Sequence, residues 1–188
     1  MLDIAEELDS IRNALFERGI EFAVCGGMAM AIYGFVRATV DLNLFVKPED
    51  VRVIEDVAAT LGFVIELGRV AKIDAAAGDV MMLDLTFVTA DNGDVWDTRQ
   101  SVTWRDQPLP VVSLDGLIAL KRLRGRLQDL ADIDHLPQET DSSSAAIDLR
   151  LKRLGQIRNL CLSLGKVGAE ARKKGQLTPS TSKASSDR

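Results

Sequence analysis

The sequence predicts an α+β fold, with a small mixed sheet of four or five strands, helices packed on it and a helical C-terminal part. Three observations predict it. Apolar residues change period along the chain, from helical spacing at Ile4, Leu8, Ile11 and Leu15, to two-residue alternation over 39–46, and back to helical spacing after Ser113. Glycine, proline and small polar residues punctuate these segments where helices start and stop. A nearly unbroken apolar run, VMMLDLTFV at 80–88, reads as a central strand covered on both faces.

Taken in order, residues 3–18 form an amphipathic helix stopped by Gly19, and residues 21–25 a short buried strand. The Gly26-Gly27 pair opens a small-residue helix, MAMAIYG, ending at Gly34. The strand over 39–46 carries Val40, Leu42, Leu44 and Val46 on one face and Thr39, Asp41, Asn43 and Phe45 on the other. Pro48 starts a helix through EDVRVIEDVAATLG, and FVIEL and VAKID read as two shorter strands. Beyond the long apolar strand, a polar stretch with a DNGD turn leads to Ser113, the N-cap of a helix through LDGLIALKRLR. A further helix follows Gly125 and brings Asp129, Asp132 and His135 near one another. These elements make one domain over 1–136. Residues 137–164 are a linker and a C-terminal helix with Ile147, Leu151, Leu154 and Leu160 among its apolar positions. The stretch 165–188 lacks the apolar residues needed to order itself and is expected as a flexible tail.

Composition narrows the function classes. Hydrophobic residues at 46% and charged residues at 27% match a soluble globular protein. No apolar run approaches the roughly 18 residues of a membrane helix. The start, MLDIAEELDS, lacks the basic residues and apolar stretch of a secretory signal, so a cytoplasmic location is expected. Cys25 and Cys161 lie far apart with no second Cys or His beside either, which points to packed thiols and not to a disulfide or zinc site. His135 is the only histidine, so no Ser-His-Asp or Cys-His arrangement can be assembled. No GxxxxGK[ST] is present, and the single Gly-Gly pair is not a GxGxxG. Residues 1–116 hold 9 Lys+Arg against 20 Asp+Glu, a net of −11, whereas 117–188 hold 14 against 8, a net of +6. That division suits a cation-binding part joined to a polyanion-binding part, and equally two ordinary solvated surfaces.

The acids of the two longer strands carry the candidate chemistry. Asp41 and Asn43 at i and i+2 point to one side of their strand, about 6.5–7 Å apart along it. A third acidic position, Asp84, lies on another strand that can run beside the first. A buried carboxylate costs several kcal/mol unless it is paired or ligates a cation. Asp84 is therefore either a site residue or a carboxylate bonded to a turn or an arginine.

The string VCGGMAMAIYGFVRATVDLNLFV resembles the signature of minimal nucleotidyltransferases of the polymerase-beta-like superfamily, in which a Gly-Gly or Gly-Ser pair opens a helix and an acidic-x-acidic strand follows. Within it, the chain looks most like AbiEii-type abortive-infection toxins and their relatives. Asp84 in its apolar strand, Lys121 in VVSLDGLIALK, and the Arg126–Asp129–Asp132 run in RLQDLADI agree with that resemblance, which covers about residues 20–136. It implies a nucleotidyltransferase-like fold, with an NTP triphosphate over Gly26 and Gly27 at the helix start. It further implies Mg²⁺ held by Asp41, Asn43 and Asp84. Lys121 would neutralise phosphate charge. Arg37 would do likewise or serve as a structural arginine, and Asp129 would orient Lys121 or Arg126 or form a helix-surface salt bridge. Asn43 departs from the pattern, because a neutral amide leaves two carboxylates where the family has three.

The implied activity is transfer of a nucleotide from an NTP to a hydroxyl acceptor, with RNA (tRNA included) or protein favoured, and with a cognate antitoxin as a partner if the chain is a toxin. The alternative is an impaired module of the same fold that binds a nucleotide, RNA or a partner protein. KRLRGR at 121–126 is either an RNA-contacting run or a solvated helix face.

Overall fold

In a computed structural model of the chain, which describes residues 1–39, 41–66, 69–136 and 140–173, seven strands form one mixed sheet. The strands are β1 (Phe22–Val24), β2 (Asp41–Val46), β3 (Val64–Glu66), β4 (Arg69–Asp74), β5 (Asp79–Phe87), β6 (Gln100–Trp104) and β7 (Gln107–Val111). Their order is β3-β4-β5-β2-β1-β7-β6. Seven α-helices accompany them among the described residues: α1 (Ile4–Glu17), α2 (Gly26–Ile32), α3 (Val51–Thr60), α4 (Gly93–Asp97), α5 (Leu114–Arg124), α6 (Leu127–Asp134) and α7 (Ser144–Lys173).

The helices expected near the N-terminus, after Pro48, after Ser113 and after Gly125 are all present. Asp3 caps α1, its carboxylate accepting from the backbone N–H of Ala5 and Glu6, and the Ser113 hydroxyl caps α5 through Gly116. Gly125, with φ 63°, ends α5 in the left-handed conformation.

The sheet is larger than the four or five strands expected, because the polar stretch before Ser113 folds into the β6–β7 hairpin. Arg105 and Asp106 form its tight turn with φ of 52° and 58°. Pro108 and Pro110 discourage a strand reading of β7. They alternate, so both missing N–H groups fall on one edge, where β1 pairs with β7 only at Val111.

A second difference concerns β5. It is central, yet only one face is covered: Asp79, Met81 and Leu83 are buried, whereas Val80 and Asp84 are exposed. The final helix also runs farther than 145–164, reaching Lys173, and the remainder of the expected tail lies outside the described residues. Ile147, Leu151 and Leu154 pack into the core as expected, but Leu160 and Cys161 are exposed.

The core occupies both sides of the sheet. Phe16 of α1 meets Phe22 of β1 at 5.6 Å between ring centroids, on the face that carries Leu42 and Leu44. On the opposite face Phe45 meets Trp96 of α4, also at 5.6 Å. Besides the apolar packing of Ile147, Leu151 and Leu154, a fully buried ion pair fastens α7 to the first face. Arg158 donates to the Asp79 carboxylate from Nη1 at 3.0 Å and from Nη2 at 2.7 Å, and neither side chain is accessible to solvent. The Leu2 backbone N–H donates to the same carboxylate at 2.8 Å. Burial alone would push the Asp79 carboxyl up, but the hydrogen bonds from Arg158 and Leu2 outweigh it and leave its pKa below the ordinary value.

Removing one partner of such a pair strands the other charge in the interior. Arg158→Ala is therefore expected to cost about 3–5 kcal/mol of unfolding free energy, read by urea titration at neutral pH. Replacing Asp79 and Arg158 together with apolar residues should recover most of the loss. The depressed Asp79 pKa stabilises the fold above the ordinary 3.8, and this contribution should disappear as the pH falls through that region and below it.

Candidate functional site

Parallel pairing of β2 with β5 runs in register from Asp41↔Met82 to Val46↔Phe87, which sets Asn43 opposite Asp84. Directly paired residues share a face, so Asp41, Asn43, Asp84 and Thr86 line one side of two adjacent strands. The expected convergence of residues 41 and 84 beside the start of α2 is present. Gly26, Gly27, Arg37, Asp41, Asn43, Asp84, Lys121 and Asp129, all predicted as site residues, line one cleft of about 280 Å³.

Two glycines bring the helix start against the strand. At Gly26, with φ 61°, an added Cβ would fall 2.3 Å from Asn43 Oδ1. At Gly27 it would fall 2.9 Å from Thr39 Oγ1. The Cys25 backbone N–H donates to the Asn43 carbonyl at 3.0 Å, fixing the end of β1 to the middle of β2. Cys25 itself is buried, and burial pushes its thiol up to about 11, so the thiol stays protonated at neutral pH and supplies no thiolate to the cleft.

Asp41 and Asp84 make no ion pair among the described residues. Burial first, and then the charge of Asp84, push the Asp41 carboxyl above its ordinary value. Two uncompensated carboxylates open to one cleft fit a single divalent cation, since Mg²⁺ is commonly held by one or two carboxylates with substrate phosphates completing the sphere. Asn43 is nearly buried, and its amide Nδ2 donates to Asp84 Oδ2 at 3.4 Å while Oδ1 packs on Gly26. As a neutral amide it leaves two carboxylates, not three, among these strand positions.

The opposite wall comes from α5 and α6. Leu117, Lys121 and Arg124 recur at i, i+4 and i+7 and face the cleft together. Lys121 Nζ donates to Asp132 Oδ2 at 2.6 Å and to Asp129 Oδ1 at 3.3 Å. Arg37 meets the same Asp132, with Nε 2.9 Å from Oδ1 and Nη2 donating to Oδ2 at 2.9 Å. Gln128 adds a bond to Oδ1 at 2.9 Å. Burial pushes the Asp132 carboxyl up, but the Lys121, Gln128 and Arg37 bonds more than offset it and hold its pKa down. Asp129 thus holds Lys121, not Arg126, and the pair is buried rather than on a helix surface.

Several residues in or behind the cleft have no site role in the sequence reading. Asp132, read there only as one acid of the run after Gly125, is the hub of the ion cluster behind the wall, and its i+3 relation to Asp129 is the signal for it. Thr86, two residues after Asp84 on its strand, accepts a hydrogen bond from Arg124 at 2.7 Å. Thr39, Leu117, Leu120, Arg124 and Gln128 also line the cleft.

Comparison with solved structures gives the fold. ANT(2'')-Ia, solved in complex with adenylyl-2''-tobramycin, superposes with a TM-score of 0.50 at 13% identity, covering 79% of this chain and 95% of that one. An antigenic nucleotidyltransferase-like protein from Paracoccidioides brasiliensis gives 0.47 at 20% identity, covering 84% and 91%. The lincosamide antibiotic adenylyltransferase LnuA, lincomycin-bound, gives 0.44 at 11%, covering 79% and 96%. No family model matches the sequence, and no curated protein does. The chain has a nucleotidyltransferase-like fold.

Two expectations follow from the cleft. Because the folded state holds a proton on Asp41 more tightly than the unfolded chain does, its contribution to stability falls as pH rises from about 3.8 through the raised value. Asp41→Asn should therefore raise the melting temperature at neutral pH in the absence of divalent cations. Gly26→Ala should lower stability by about 1–2 kcal/mol for the left-handed backbone alone, with the contact at Asn43 adding to that in thermal unfolding.

Proposed function

We propose that the chain transfers a nucleotide from an NTP to a hydroxyl acceptor. The reading is carried by the meeting, in one cleft, of the unpaired Asp41 and Asp84 with the Gly26-Gly27 turn and Lys121. In this reading the triphosphate lies against the start of α2, where glycine permits close approach and backbone N–H groups favour negative charge. Lys121 has three donors and two described acceptors, so one N–H remains for a phosphate oxygen. Arg37, anchored by Asp132, adds positive charge at the rim. Leu117 and Leu120 offer apolar surface to the nucleoside.

The acceptor oxygen attacks the α-phosphorus as the bond to the β-phosphate oxygen breaks. Pyrophosphate leaves with that electron pair, and the hydroxyl proton passes to the Asp84 carboxylate. Asp41 and Asp84 would hold Mg²⁺, which supplies charge neutralisation at the phosphates when bound. The resemblance to AbiEii-type toxins favours RNA or protein as acceptor and an antitoxin as partner.

One observation favours a second reading. With Asn43 donating to Asp84 in place of a third carboxylate, a second cation lacks ligands, which suits a module that binds nucleotide, RNA or a partner protein without turnover.

Incubation with α-labelled NTP, Mg²⁺ and total RNA separates these. Label transfer by the natural chain, reduced about 100-fold or more in Asp84→Ala, is expected for the enzyme. Transfer only by Asn43→Asp would instead favour the binding module. No transfer by either, together with no thermal stabilisation by NTP plus Mg²⁺, would remove both nucleotide readings.

A further inference from the structure

A second cleft, of about 330 Å³, adjoins the first and shares Asp84, Arg124 and Arg126 with it. Its position follows from the strand register. β4 pairs with β5 only as far as Val70↔Leu83, whereas β2 continues alongside β5 to Phe87. From Asp84 onward β5 therefore has β2 on one side and no described strand on the other. Asp84 sits where that open edge begins, accessible from the nucleotide cleft and from the edge.

The chemistry of the second cleft differs from that of the first. Arg69, Arg124 and Arg126 face it, against Glu55 of α3 and Asp84 itself. The first cleft uses Lys121 and Arg37 in a closed cluster with Asp129 and Asp132, whereas Arg69 and Arg126 form no ion pair among the described residues and are exposed. Phe87, 40% exposed at the end of β5, adds an aromatic face beside them. Arginines spaced around an accessible aromatic ring are the equipment of single-stranded nucleic-acid recognition, in which guanidinium groups hold phosphates and a base stacks on the ring. A polycationic acceptor such as an aminoglycoside would meet like charge here.

We propose that this second cleft seats the acceptor, and that the acceptor is the 3′ end of a single-stranded polynucleotide, with Arg69 and Arg126 at its phosphates and a base over Phe87. The inference rests on the nucleotidyl-transfer reading and names its acceptor class. The 3′-hydroxyl would then approach Asp84 from the open edge of β5 while the NTP lies on the far side. Its oxygen forms the new bond to the α-phosphorus, its proton goes to Asp84, and pyrophosphate leaves. Arg124, held to Thr86 between the two clefts, would position the phosphates of both substrates. The net +6 of residues 117–188 acquires a use in this arrangement, because Arg124 and Arg126 belong to that half.

The test uses residues that line only the second cleft. Fluorescence anisotropy with labelled single-stranded RNA and DNA 12-mers is measured for the natural chain, Arg69→Glu and Phe87→Ala, in parallel with NTP plus Mg²⁺ binding by thermal shift. The expected result is saturable binding of at least one oligonucleotide, weakened about tenfold in each variant, with the NTP response unchanged. The Arg69→Glu variant should also lower the slope of log affinity against log salt by about 1. The RNA and DNA arms identify which polynucleotide is preferred. Arg69 is exposed, so its variant should fold even if Phe87→Ala does not. No oligonucleotide binding by the natural chain, equal binding by the Arg69→Glu variant, or label transfer to protein or aminoglycoside hydroxyls with oligonucleotides ignored would overturn the proposal. Oligonucleotide binding lost in the variants without any NTP response would keep the second cleft as a polynucleotide site and sink the nucleotide-transfer reading alone.

Discussion

The candidate site depends on one pairing, that of β2 with β5. A parallel ladder has no freedom to slip by a single residue without turning every side chain to the opposite face. Leu42 and Leu44, buried on the face that also carries Phe22, hold the register by the apolar surface they bury. Asp41, Asn43, Asp84 and Thr86 are thereby fixed on the other side. A core that could tolerate slippage would not keep two carboxylates in the same cleft.

Holding the carboxylates together is costly in the absence of a cation. The raised pKa of Asp41, due first to burial and then to the charge of Asp84, records part of that cost, and the amide at Asn43 lessens it by presenting Nδ2 to Asp84 where a third negative charge would repel. On the facing wall, the opposite charges cancel. Lys121, Asp129 and Asp132, all buried, and the partly exposed Arg37 form a cluster of balanced formal charge, which ties α5 to α6. The cleft therefore has a negative floor of two groups and a facing wall on which Lys121 and Arg37 are paired with carboxylates while Arg126 is not, an asymmetry suited to a cation bringing its own anion.

Much of this was legible in the sequence because it rests on short-range rules. The alternation of DLNLFV placed Asp41 and Asn43 together, and the Gly-Gly pair marked the close approach of the helix to that strand. The reach of Lys121 to Asp129 follows helical spacing on two consecutive helices. What could not be read is what depends on distant partners. The coverage of β5 on only one face is decided by which helices pack over the sheet, and an apolar string such as VMMLDLTFV looks the same with one face open or none. The β6–β7 hairpin was hidden by Pro108 and Pro110, which are disfavoured in a strand unless the other edge is unpaired, and by a turn of Arg105 and Asp106 without glycine. That turn is held from outside, by ion pairs of Arg105 with Glu6, Asp9 and Asp148, none of them near it in sequence. Asp132 appeared as one of several helix acids, and only its burial among Arg37, Lys121 and Gln128 separates it from a solvated neighbour such as Asp134.

The Asp79–Arg158 bond lies on β5 five residues from Asp84 and on its reverse side. The strand that presents Asp84 to the cleft is thus anchored from behind by the last described helix. Evolutionary change at one end of that bond is constrained by the other: a lineage that shed α7 would inherit a bare acid in its interior. Among relatives, positions 79 and 158 should vary as a couple, and shortened forms should carry an uncharged residue where this chain has Asp79.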